Sequence, residues 1–68
     1  MNKQVRGIKQ VRGRHLRVGM DVMIGPYVAA TVREVTPAED GKTLWVRLST
    51  NDMALVEANE WLDILVGT

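Results

Sequence analysis

Apolar and polar residues alternate most cleanly over residues 43–48. Leu44, Val46 and Leu48 fall on one side there, and Thr43, Trp45 and Arg47 on the other. A period of two marks a half-buried β-strand. Two earlier stretches share it. Residues 20–24 set Val22 and Ile24 against Asp21 and Met23. Residues 28–35 set Val28, Ala30 and Val32 against Ala29, Thr31 and Arg33. Val35 is out of phase with that strand, which predicts a bulge or the strand's end. Gly25-Pro26 punctuates the first pair of strands. The run Thr36-Pro37-Ala38-Glu39-Asp40-Gly41, with proline early and glycine late, predicts a polar hairpin loop. Residues 49–52 read as a second turn.

The last segment has two readings. Ala54, Leu55, Ala58, Trp61, Leu62 and Leu65 recur at helical spacing, with Glu57, Asn59, Glu60 and Asp63 opposite them. Asn51 or Asp52 would cap such a helix and Gly67 would end it. The rival is a strand over residues 53–57, one tight turn over 58–61 and a strand over 62–66. Periodicity favours the helix. The predicted core is Val22, Ile24, Val28, Ala30, Val32, Leu44, Val46, Leu48, Val56, Trp61, Leu62 and Ile64.

Charge changes the picture at the N-terminus. Lys3, Arg6, Lys9, Arg12, Arg14 and Arg17 stand in the first 17 residues without one acid, a net of +6. From residue 18 onward Arg33, Lys42 and Arg47 face eight acids, a net of −5. The overall +1 hides this dipole. Gln4-Val5-Arg6-Gly7 recurs as Gln10-Val11-Arg12-Gly13, and the apolar residues Val5, Ile8 and Val11 come every three residues. That spacing fits neither a strand nor a broad helical stripe. Residues 1–17 therefore read as a flexible basic arm, and 18–68 as a small domain.

A chain of 68 residues has room for one modest core. It has no cysteine and a single histidine, His15, so neither a disulfide nor a zinc site is expected. No apolar run approaches the roughly 18 residues of a membrane span. No apolar segment follows the N-terminal charges, so no secretory signal is expected and a cytoplasmic protein is the default.

Val18-Gly19-Met20-Asp21-Val22, the hairpin, Trp45-Val46-Arg47-Leu48 and Val56-Glu57-Ala58-Asn59-Glu60-Trp61-Leu62 together resemble Src-homology-3-like small barrels, the KOW and Tudor modules among them. The resemblance covers residues 18–66. It implies an all-β, five-stranded barrel whose final segment is two strands around a short helical turn, with Trp61 in the core where that turn plugs the barrel. The alternative is a three-stranded antiparallel sheet with a C-terminal helix over 52–66. Locally, Arg17-Val18-Gly19, Met23-Ile24-Gly25 and Thr31-Val32 resemble the carbon storage regulator family of RNA-binding dimers. Leu16 replaces one of that family's basic residues, and residues 56–60 carry no arginine, which removes much of the implied RNA-reading surface.

The chemistry-bearing residues point away from catalysis. His15, the only imidazole, sits among arginines with no nucleophile and orienting group to complete a triad. Gly41-Lys42 lacks the rest of a phosphate loop. Residues 53–66 lack the Val-Gln-x-Tyr motif of the similarly small plasmid-borne dihydrofolate reductase. The expectation is a non-enzymatic protein without a cofactor or metal. Its six N-terminal cations would neutralise phosphates, and Arg33, Trp45 and Arg47 would form an outward face that stacks or contacts bases. The alternative is a protein-interaction module, a homo-oligomer or a binder of an acidic protein surface, with Trp45 covered by protein.

Overall fold

The computed structural model describes residues 6–67, without the side chain of Arg6. It is all-β: six antiparallel strands form one unclosed sheet. They are β1 (Arg6–Arg12), β2 (Asp21–Met23), β3 (Ala29–Pro37), β4 (Thr43–Leu48), β5 (Met53–Glu57) and β6 (Trp61–Gly67). Their order across the sheet is β1-β6-β2-β3-β4-β5. A single 3-10 turn, Gly13–His15, follows β1.

Five of the strands lie where alternation or the barrel resemblance placed them. The last segment is β5, a turn and β6, so the C-terminal helix is ruled out. Its helix-like spacing arose because Trp61 and Leu65 lie on one face of β6 and Leu62 on the other, not because one stripe faces the core. The sixth strand, β1, corrects the reading of a flexible arm over residues 6–12; residues 1–5 of that arm lie outside the described residues. Arg6 to Arg12 pair with Gly67 to Trp61 over seven consecutive positions. Only Val11 on β1 packs against the core. An edge strand held by backbone pairing need not show an apolar stripe.

β3 joins the two halves of the sheet. Its start pairs with β2, Val22 opposite Ala30. Val22 also faces Ile64 of β6, so these three side chains form one layer. Beyond Val32, which faces Leu48, the register with β4 shifts by one residue, and Glu34 faces Arg47. Arg33 is the extra residue of the bulge that Val35 signalled. The shift turns Val35 to the same face as Val46, its partner on β4. Leu16, Val22, Ala30, Val32, Val46, Leu48, Val56 and Ile64 are buried, with Val11, Met20, Val35, Leu44, Ala54 and Leu62 packed around them.

Three predicted core residues are exposed: Ile24, Val28 and Trp61. β2 ends at Met23, and the Ile24 N–H donates to the Val28 carbonyl at 2.9 Å, so both side chains flank a loop. Trp61 is in opposite phase to Leu62 and Ile64 on β6. Gly13 and the Leu16 side chain are the described buried residues that the reading of an arm missed.

The corner after β1 is tied to the β5–β6 turn. Gly13 N–H donates to the Glu60 carbonyl at 2.8 Å, and Arg14 N–H to the Ala58 carbonyl at 2.9 Å. A Cβ on Gly13 would overlap the Glu57 carbonyl oxygen, which is backbone and cannot swing aside. A Cβ on Gly7 would meet only Val66 Cγ2, at 3.9 Å. In the β3–β4 hairpin, Asp40 accepts from Lys42 N–H at 2.8 Å, Thr43 N–H at 3.0 Å and the Thr43 hydroxyl at 2.8 Å. These donors, the Lys42 N–H foremost, hold its carboxyl below the usual aspartate value.

Two outcomes follow from these contacts. Gly13→Ala should lower the urea midpoint clearly, whereas Gly7→Ala should leave it unchanged or raise it, since alanine reduces the freedom of the unfolded chain. For Asp40 the depressed folded pKa means stability that is full above the unfolded value of about 3.9 and is lost as pH falls through the folded value. Asp40→Asn should therefore be less stable than the parent at neutral pH, and the difference should shrink as acid protonates Asp40. Equal spacing of the two urea midpoints at every pH would contradict the assignment.

Candidate nucleic-acid interface

The register of β1 with β6 places Arg12 directly opposite Trp61. Cross-strand partners share a face of the sheet. The guanidinium carbon of Arg12 lies 4.0 Å from the centroid of the Trp61 ring, a cation–π contact. The same guanidinium donates to the Asn59 carbonyl at 2.7 Å. Arg14 donates to the Asn59 side-chain oxygen. Arg17 donates to the Leu16 carbonyl at 3.1 Å and lies 3.5 Å from that of Arg14. Arg12 and Arg14 thus meet at Asn59, where β1 and its 3-10 turn approach the β5–β6 turn, and Arg17 stays against its own segment. Trp61, beside Arg12, remains 54% exposed.

The other residues singled out in the sequence are dispersed. Lys3 lies outside the described residues, and of Arg6 only the backbone in β1 is described. Lys9 is exposed on β1, opposite Ile64 and so on the face away from Trp61. Arg33 is exposed at the bulge. Trp45 points outward as alternation required and is 44% exposed. However, its partner on β3 is Thr36 and its partner on β5 is Leu55. The bulge has moved the register, so Arg33 is not brought across from Trp45 or Arg47 and the expected face of Arg33, Trp45 and Arg47 does not form. Thr31 donates to Asp21 at 2.6 Å. Arg47 is bridged to Glu34 at 3.3 Å. Both partners are exposed, so this pair contributes about 0–1 kcal/mol, yet it offsets the charge that a phosphate would meet.

Trp61 is the functional candidate that sequence reasoning missed, because the resemblance assigned it to the core. One signal was available. Trp61 and Leu62 cannot both face inward on a strand, and Leu62 shares parity with Ile64.

A shallow groove of about 480 Å³ adjoins this corner, lined by Gly41, Lys42, Glu57, Ala58 and Asn59. Its floor is tied by the Ala58 N–H, which donates to the Lys42 carbonyl at 2.8 Å. Lys42 and Glu57 give it one charge of each sign. Among the described residues no cluster of metal-ligating side chains is present and no helix is long and apolar enough to cross a membrane.

No protein-family model matches the chain, and neither the curated proteins nor the solved structures contain a significant match to it.

Proposed function

We propose that this chain is a small, non-enzymatic accessory protein that binds nucleic acid, with an Src-homology-3-like body extended by β1. The observation that carries this reading is the Arg12 guanidinium over the exposed Trp61 ring, with Arg14 bonded to the neighbouring Asn59. Guanidinium groups suit phosphate because they are permanently charged and donate in a planar fork. Such contacts supply affinity without choosing sequence. Lys3 and Arg6 would add positive charge from the N-terminal segment. The eight acids from residue 18 onward would repel phosphates elsewhere and confine them to this corner.

A separate observation favours interaction with protein as a second reading. Trp45, Met53 and Leu55 are exposed together on the outer face of β4 and β5, and β5 ends the sheet. Exposed apolar groups beside an outer strand are features of surfaces where chains associate.

The first reading is tested by binding to a short oligonucleotide over a range of salt. Affinity should fall linearly on a log–log plot, and the double variant Arg14→Ala/Arg17→Ala should reduce the slope by about 1.4 on a single strand, about 0.7 for each lost contact. Affinity that ignores salt, or an absence of binding, contradicts it. The second reading is tested by light scattering. Trp45→Ala should remain folded, because the ring is outside the core, and an assembly held by this face should fall to monomer. A wild-type protein that is monomeric at high concentration contradicts the second reading.

A further inference from the structure

We propose that the β1–β6 corner is a site for single-stranded nucleic acid, in which the indole of Trp61 stacks an unpaired base while Arg12 and Arg14 hold the phosphates beside it. The inference rests on the nucleic-acid reading above and adds the class of ligand and the residue that selects it.

Trp61 is held by Arg12 and still half exposed. Its backbone belongs to β6, paired to Arg12, and the Arg12 guanidinium covers one face of its ring, which leaves the other face for a base. More than half of the residue still faces solvent. An aromatic ring fixed on a strand loses little freedom when a flat ligand lands on it, so stacking keeps most of its gain. Base–indole stacking is tolerant of sequence because every base has a π-face.

The position of the ring within the sheet favours a single strand. Trp61 is the first residue of β6, next to the Ala58–Glu60 turn, so it lies at the rim of the face and not at its middle. A base laid on it leaves its phosphates over the turn, where Arg12 and Arg14 are anchored to Asn59. On the other side the next cross-strand pair is Gln10 with Asp63, joined by a hydrogen bond of 3.3 Å. Rows on one face of a strand are about 7 Å apart. The Asp63 carboxylate repels a phosphate at that distance, so the backbone is driven toward the arginines and the base toward the sheet. A duplex offers no free ring face. To reach Trp61 it would have to unstack, at a cost of a few kcal/mol per step.

The test uses Trp45→Phe protein, in which Trp61 is the sole indole, since the chain has two tryptophans. An oligothymidine and a duplex of the same length are titrated in parallel, with Trp61→Ala and Trp61→Phe made in the same background. The oligothymidine should quench the Trp61 emission. Trp61→Ala should weaken oligothymidine binding roughly 5- to 150-fold with the salt slope unchanged, and should leave duplex binding as it was. Trp61→Phe, which keeps a ring, should retain most of the affinity. If Arg14→Ala weakens binding but neither quenching nor an effect of Trp61→Ala is seen, stacking is overturned while the nucleic-acid reading stands. Salt-independent or absent binding of both ligands overturns the two together. If Trp61→Ala fails to fold, the quenching and Trp61→Phe decide: a ring that is not quenched by the single strand refutes the proposal.

Discussion

The seven-residue pairing of β1 with β6 determines where nearly everything of functional interest lies. It brings Arg12 across from Trp61 and delivers Gly13 against the Glu57 carbonyl. It also lets Leu16 drop into the core one turn later. The hydrogen bonds from Gly13 and Arg14 to the β5–β6 turn depend on the same approach. Without that pairing the arginines would belong to a loose chain, and their positions relative to the indole would be undefined. The pairing itself gains little from apolar burial. Backbone hydrogen bonds along seven residues, each worth about 1 kcal/mol net, carry it together with Val11 and the anchoring of Leu16.

Electrostatics reinforces the same corner. Most of the chain's cations precede residue 18 and its acids follow it, so tying β1 into the sheet sets a basic rim on an acidic body. The acids closest to the rim have defined tasks. Glu60 accepts from the Glu57 N–H at 3.1 Å and shapes the turn, and Asp63 is bonded to Gln10. Glu34 answers Arg47 on the other half of the sheet. The surviving contrast is therefore local: guanidinium groups around Asn59 next to an indole, with the opposite half of the sheet carrying an apolar face around Trp45, Met53 and Leu55.

Much of the architecture was legible in the residues. Alternation over 43–48 coincides with β4, and the turns at Asp40–Gly41 and Asn51 fall where polar and glycine residues cluster. Gly41 and Asn51 both adopt positive φ, the left-handed region those residue types tolerate. The phase of Val35 announced the bulge at Arg33, and the outward aspect of Trp45 followed from Leu44 and Val46. These features are local. Side-chain direction along a strand and backbone conformation in a turn are set by neighbours in the chain, so a period or a glycine reveals them.

What the chain alone left open was the choice of partners across the sheet. Residues 6–12 have no apolar alternation because they occupy an edge, and their strand exists only through β6, whose paired residues lie 49 positions from Arg12 and 61 from Arg6. The one-residue shift at Arg33 decided that Trp45 faces Thr36 and Leu55, not a second arginine. Trp61 read as core until its pairing with Arg12 fixed it on the outer face. By itself the sequence determined β2, β3 and β4, their turns and the separation of charge, because each is written in adjacent residues. The tertiary structure decided which cation meets which aromatic ring, because that depends on register between distant segments, where a shift of one residue turns every side chain to the other face.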